Sequence, residues 1–250
     1  MSERAPEPGK APVAWIVGVG PSRGLGAALA RRFANGGMNV FISGRTQERL
    51  DLIVREIHAS GGQAIAVAGD VTEAAFIKET LERIAAAGRL DAAIFNAGGN
   101  RWKPTLDMEN GFFEEVWRLC CMAGFMFGRE TARVMLEGGR GSLLFTGASA
   151  SLRGRPQFTA FASAKAGLRM VSQSMAREFG PLGLHVAHVI VDGLIDGDRA
   201  HEVAEEAVKS KGSDGMLRPE AIAEAYWQLH TQHRSAWTQE LDLRPFSEPF

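Results

Sequence analysis

Short runs of apolar, often β-branched residues alternate along the chain with longer stretches in which apolar positions recur every three or four residues. The first pattern suits strands buried on both faces, the second amphipathic helices, and their regular alternation marks βαβ units around a parallel sheet. Strands are predicted at 13–19, 39–43, 64–68, 92–95, 142–146 and 185–191, each bounded by Gly, Asp or Asn. Helices are predicted near 24–36, 46–59, 73–87, 111–137 and 159–179, and a last one follows Arg218-Pro219-Glu220, where proline suits a first helical turn. Leu241-Asp242-Leu243 reads as a short closing strand. No repeat or low-complexity block interrupts the pattern, so residues 13–250 are expected to form one doubly wound α/β domain. Residues 1–12, with charges and three prolines, read as a disordered tail.

Composition narrows the function. Lys and Arg number 28 against 29 Asp and Glu, which leaves no basic excess for nucleic acid or an anionic membrane. No stretch approaches the roughly 18 apolar residues of a membrane span. Cys120 and Cys121 are adjacent, a spacing that suits neither a disulfide framework nor a zinc site, and the reading is a soluble cytoplasmic protein. His185 and His188 sit three apart on a strand and so point to opposite faces, while His230 and His233 can share a helix face but lack a third ligand. No metal is expected, and solvated helix ends account for these histidines. Among 14 Phe and 5 Trp there is a single tyrosine, Tyr226, on a late helix where it reads as packing.

The first strand runs into Gly18-Val19-Gly20-Pro21-Ser22-Arg23-Gly24-Leu25-Gly26 and then a helix. A glycine turn between strand and helix lets backbone approach a pyrophosphate, whose charge the helix start favours. The spacing is G-x-x-x-G-x-G, from Gly20 to Gly26, and not G-x-G-x-x-G, because Arg23 stands where a third glycine would be needed. The second strand ends in Gly44-Arg45, where an NAD site places an acid for the ribose 2′-OH. Gly44 leaves space and Arg45 supplies charge; with Arg23 it can flank a 2′-phosphate, so NADP(H) is expected ahead of NAD(H). The alternative is that Arg45 begins a solvated helix.

With these residues in place, the chain resembles the short-chain dehydrogenase/reductase family over about residues 13–243. Gly20-x-x-x-Gly24-x-Gly26 is similar to its cofactor loop, with Val19 in place of a leading Thr; Asp70-Val71 resembles its adenine-contact pair and Asn96-Ala97-Gly98 its N-A-G turn. The resemblance implies a Rossmann sheet of order 3-2-1-4-5-6-7. It implies cofactor contacts from Gly20, Ser22, Arg23, Gly24, Leu25, Gly26 and Arg45, then from Asp70, Val71, Asn96, Ala97 and Gly98, and finally from Lys165, Gly193 and Ile195. It also implies a small-molecule substrate and a homotetramer or homodimer paired through the long helices flanking the fifth strand.

The family's catalytic set is Tyr-x-x-x-Lys, a Ser 13 residues before the Tyr, and an Asn on the preceding long helix. Here Lys165 stands in place, but the Tyr position is Phe161, the Ser position Ala148 and the Asn position Cys121. The variant with tyrosine seven residues before the lysine falls on Phe158, and the usual Pro-Gly after the sixth strand is Asp192-Gly193, followed by Leu194-Ile195-Asp196. Phe161 has no proton to give, and positioned acid–base catalysis contributes roughly 10²–10⁴ in rate. Lys165 can still bond the nicotinamide ribose; otherwise it is an exposed helix lysine. Ser149, one residue from the empty serine position, is the best substitute hydroxyl, as an acid or only to orient substrate. Cys121 reads as core, and Asp192 and Asp196 as loop structure. Arg101, Trp102, Lys103, Arg153 and Arg155 form either a substrate-recognising or a solubilising rim. The expectation is an NADP(H)-dependent oxidoreductase acting on a carbonyl, alcohol or enone-like substrate by a non-standard proton path; the alternative is a catalytically silent NADP(H)-binding sensor or oligomer partner.

Overall fold

The computed structural model describes residues 11–212 and 214–248. Seven parallel strands form one sheet in the order β3-β2-β1-β4-β5-β6-β7. They are β1 (Pro12–Val17), β2 (Asn39–Gly44), β3 (Gln63–Ala68), β4 (Arg89–Phe95), β5 (Gly141–Thr146), β6 (Leu184–Val191) and β7 (Glu240–Leu243). β1 starts one residue before the sequence reading placed it, with the Ala11 carbonyl accepting from Arg89 N. The rest of the expected tail, residues 1–10, lies outside the described residues. β6 is buried at all eight positions, as a central parallel strand covered on both faces must be.

Helices cover both faces. On one side α1 (Leu25–Asn35), α2 (Gln47–Ala59) and α9 (Pro219–Thr231) close a core containing Leu29, Phe33, Ile53, Ile222 and Tyr226. On the other, α3 (Ala74–Ala87), α5 (Ala123–Glu137) and α6 (Thr159–Phe179) pack Ile77, Phe127 and Leu168 against Trp15, Phe95 and Phe145. Strand order reverses at β1 and β4, which opens a crevice beyond their carboxyl ends, where doubly wound sheets bind ligands.

Two elements differ from the sequence reading. The helix expected over 111–137 is α4 (Asn110–Trp117), one π-helical turn (Arg118–Met122), and α5. The widened turn buries Cys120 and Cys121, and Cys121 fits because α6 presents Gly167, where an added Cβ would lie 2.8 Å from Sγ. Two short helices, α7 (Asp198–Val203) and α8 (Glu205–Ser210), follow β6. They were not predicted because they carry no apolar stripe: among their residues only Ala200 is buried, and Val203 is 74% exposed.

Candidate active site

The glycine turn is held by backbone bonds from Gly18 N and Val19 N to Ser43 O at the end of β2. α1 starts after Gly24 without a side-chain cap, so its first amides and positive dipole end face the crevice. Packing explains two of the three motif glycines. A Cβ on Gly24 would meet Pro21 O at 2.9 Å, and one on Gly26 would meet Gly18 O and Val19 Cα at 2.8 Å. A Cβ on Gly20 would meet nothing within 4 Å, so the chain's own packing does not call for glycine there.

Around the loop the charges are arranged differently from the sequence reading. Gly44 does not leave ligand space: a Cβ there would lie 2.1 Å from Val19 O, so the residue is glycine because the turn folds back onto β2. The Ser22 hydroxyl donates to Glu56, whose carboxylate pairs with Arg31 at 2.8 Å, and Arg31 also donates to Ser22 O at 2.6 Å. Ser22 therefore buttresses the turn. Arg23 lies 3.6 Å from Asp196 and 3.9 Å from Asp198, across the mouth of the crevice. Arg45 is exposed and pairs with no carboxylate among the described residues. Asp70 accepts from the Thr72 amide and hydroxyl, which fixes the turn after β3, and Val71 beside it is buried.

At the end of β4, Asn96 Nδ2 donates to Gly18 O at 3.1 Å and locks the N-A-G turn to the glycine turn. Ala97 is buried and Gly98 faces Lys165, whose Nζ would lie 3.3 Å from a Cβ at that position. Lys165 is 5% exposed, not the exposed lysine of the alternative reading, and donates to Thr146 O at 2.8 Å. Burial pulls its pKa down, outweighing the Cys120 and Cys121 thiols nearby. Leu25 is buried at the base of α1; Gly193 packs against Pro245, and Ile195 bridges to Leu217, forming the far wall.

Phe161 is buried one helical turn before Lys165, with its ring centroid 5.9 Å from Nζ. Ala148 and Ser149 are half-buried on the turn after β5, and the Ser149 hydroxyl makes no hydrogen bond among the described residues. Burial pushes the Cys121 thiol up, as suits a core residue. Tyr226 is fully buried on the opposite face of the sheet, its hydroxyl 2.7 Å from Thr146 Oγ1, and burial drives its phenol pKa up. Asp192 is buried and paired with Arg153 at 3.0 Å and Arg244 at 3.4 Å; Asp196 is paired with His201 at 2.7 Å. Both carboxylates are loop structure, as expected. Of the rim, Arg101 pairs with Glu115 and Lys103 with Glu109, while Trp102 is 61% exposed.

The histidines correct the sequence reading. His185 and His188 are 3% and 0% exposed, not solvated. His188 Nε2 lies 3.4 Å from Ser151 Oγ and its Nδ1 3.4 Å from Glu240 Oε2, while Ser151 Oγ accepts from Ala148 N at 3.2 Å. A polar chain thus runs under the turn after β5 to the edge strand, where Arg169 holds Glu240 in a two-bond pair. The only local signal was two histidines in an otherwise apolar strand. His230 and His233 do not share a helix, because α9 ends at Thr231; His230 bonds Ser142 and His233 accepts from Ser235 N in the next turn. No cluster of three potential metal ligands occurs among the described residues.

Residues 13–208 match the family described as short chain dehydrogenase. The chain belongs to that family. Its fold overlays a solved short-chain dehydrogenase from Rhodopseudomonas palustris with a TM-score of 0.80 and 42% identity, covering 96% of this chain and 100% of that one. A metagenomic short-chain oxidoreductase solved in complex with NADP is 27% identical, with a TM-score of 0.77 and coverage of 93% and 96%. A 3-oxoacyl-[acyl-carrier-protein] reductase from Synechocystis sp. is 30% identical over 194 residues, 76% of this chain and 77% of the relative. The protein is therefore an oxidoreductase of the short-chain type, and among its described residues no helix is long and apolar enough to cross a membrane.

Proposed function

We propose that this short-chain oxidoreductase uses NADP(H) in preference to NAD(H) to interconvert a carbonyl and an alcohol, or to reduce an enone-like substrate. The reading rests on one observation: Gly20, which has no packing reason to be glycine, lies before an uncapped helix start with the unpaired Arg45 at the end of the neighbouring strand. That is a cradle for a pyrophosphate with a cation for a 2′-phosphate. Arg23 is already close to two aspartates, so the preference falls mainly on Arg45. The NADP in the metagenomic relative supports the choice.

In this reading Gly20 to Gly26 hold the pyrophosphate, Asp70 and Val71 flank the adenine, and Asn96, Ala97 and Gly98 line the nicotinamide side with Gly193 and Ile195 opposite. Lys165 has N–H groups to spare for the ribose hydroxyls. The bound dinucleotide supplies or accepts hydride. Phe161 and Ala148 leave the substrate oxygen without the usual phenol and serine donors, and in this reading the Ser149 hydroxyl orients that oxygen. Trp117, Met122 and Met170, each between 37% and 49% exposed on α4, the π turn and α6, are the surface through which a homodimer or homotetramer would pair.

Titration of the protein with NADPH and NADH, followed by cofactor fluorescence, tests the cofactor. NADPH is expected to bind at least about tenfold more tightly, the equivalent of about 1.4 kcal/mol, and Arg45→Ala to remove most of the difference. Equal affinities in the wild type would overturn the assignment. Incubation with NADPH and a panel of carbonyls and enones, read at 340 nm, tests for turnover; cofactor bound with no turnover on any of them favours the silent alternative.

A further inference from the structure

Lys165 is a buried cation without a counter-anion. Its Nζ lies among Thr146 O from β5, the Gly98 backbone, the Phe161 ring and the Cys120 and Cys121 thiols of the π turn, and close enough to the His188 imidazole of β6 for the two to interact electrostatically. No carboxylate among the described residues pairs with it. One of its three N–H groups is taken by Thr146 O, and the other two have no acceptor among the described residues. Phe161 and Lys165 share a helix face four residues apart, with Nζ 5.9 Å from the centroid of a ring that carries no hydroxyl.

The other candidate acids fail on position or chemistry. Tyr226 lies behind the sheet, the Cys121 thiol is made less acidic by burial, and Asp192 is neutralised by two arginines. His188 is fully buried beneath the turn after β5. Ser149 carries an ordinary hydroxyl, too weak an acid to match a reaction near neutral pH.

We propose that Lys165 is itself the acid of this active site, its ammonium delivering to the substrate oxygen the proton that a phenol would otherwise supply. The inference rests on the carbonyl-reduction reading above. The carbonyl carbon receives hydride from the reduced nicotinamide, the C=O π pair moves onto oxygen, and an N–H bond of Lys165 breaks toward that oxygen. Lys165 is left as a neutral amine and is reprotonated from water; in the oxidation direction the same steps run backwards, with the amine as base. Burial without a counter-anion is what suits an amine to this exchange, because it makes the neutral form accessible nearer to neutral pH.

The test reads the amine directly. In full-length protein labelled with [13Cε]lysine, the resonance absent from Lys165→Arg, or from Lys165→Met should the arginine variant fail to fold, is expected to titrate below the exposed lysines, because burial disfavours its charged form. A midpoint equal to theirs overturns the proposal, whether or not any cofactor binds. In parallel, NADPH affinity of the wild type is expected to weaken about tenfold as pH rises through that midpoint, and to stay flat in Lys165→Arg, which keeps its charge. On a carbonyl that the wild type reduces, Lys165→Arg is expected to lower kcat at least about a hundredfold with NADPH affinity within a few-fold; undiminished kcat overturns the proposal. Failure of NADPH to bind at any pH defeats the cofactor reading instead, and the NMR midpoint still decides the ionisation of Lys165.

Discussion

Lowering the pH should weaken this fold through His188 before it titrates most carboxylates. The imidazole is fully buried between β5 and β7, and burial brings its pKa from 6.5 to about 4. Burial is the largest cause; Glu240 opposes it, while Lys165 and Arg169 reinforce it. Because the folded value is depressed, native and unfolded chains are both neutral above pH 6.5 and His188 is neutral in stability there. Between about 6.5 and about 4 the unfolded chain takes up a proton that the native chain refuses. At about 1.36 kcal/mol per pH unit, that difference of about 2.5 units removes roughly 3 kcal/mol, a large share of a typical domain's stability. Arg169 bonds Glu240 and holds its carboxyl low, so the neighbouring carboxylate stays ionised over most of the window. Urea unfolding followed by tryptophan fluorescence at pH 7.5, 5.5 and 4.5 measures the effect. The wild type should lose about 2.5 kcal/mol more than His188→Asn between the two ends, because pH 4.5 lies about 2 units below the unfolded pKa. Parallel losses in wild type and variant would refute the assignment of acid sensitivity to this residue. His230, also brought down to about 4 mainly by burial, should contribute with the same sign.

Three other outcomes follow from the same geometry. Gly147→Ala would place a Cβ 2.3 Å from His188 Cε1 and 2.4 Å from Nε2, and overpacking of that kind should cost about 1–3 kcal/mol in urea unfolding; an unchanged midpoint would mean that His188 and the turn move apart freely. Phe161→Tyr combined with Ala148→Ser should create or raise carbonyl reductase activity at 340 nm, because it restores a phenol four residues from Lys165 and a hydroxyl on the turn after β5. No gain with NADPH binding intact would point to a closed or reshaped cleft. Sedimentation should find a dimer or tetramer, and Trp117→Glu with Met122→Glu should shift it toward monomer; an unaffected assembly would place the interface elsewhere.

The sequence by itself determined the seven strands, the long helices of the two layers and the glycine turn, because these depend on periodicity and on residue types read within one element. The relation of Phe161 to Lys165 was legible for the same reason: four residues on a helix put both on one face wherever the helix goes. Ranges failed where no stripe existed, at α7 and α8, and where one extra residue was absorbed into a π turn at Cys121. Tertiary structure decided what long-range neighbours do to each candidate. Ser22 is engaged by Glu56, 34 residues away, Arg23 by the aspartates after β6, and the room at Gly44 by the Val19 carbonyl. The largest revision concerns charge. Residue type alone leaves Lys165 either a ribose-binding group or an exposed helix lysine and says nothing of the burial of His188; packing of α6, the π turn and β7 around β5 and β6 removes both from water. Residue type sets which proton a side chain can carry; only the folded surroundings set how readily it is given up.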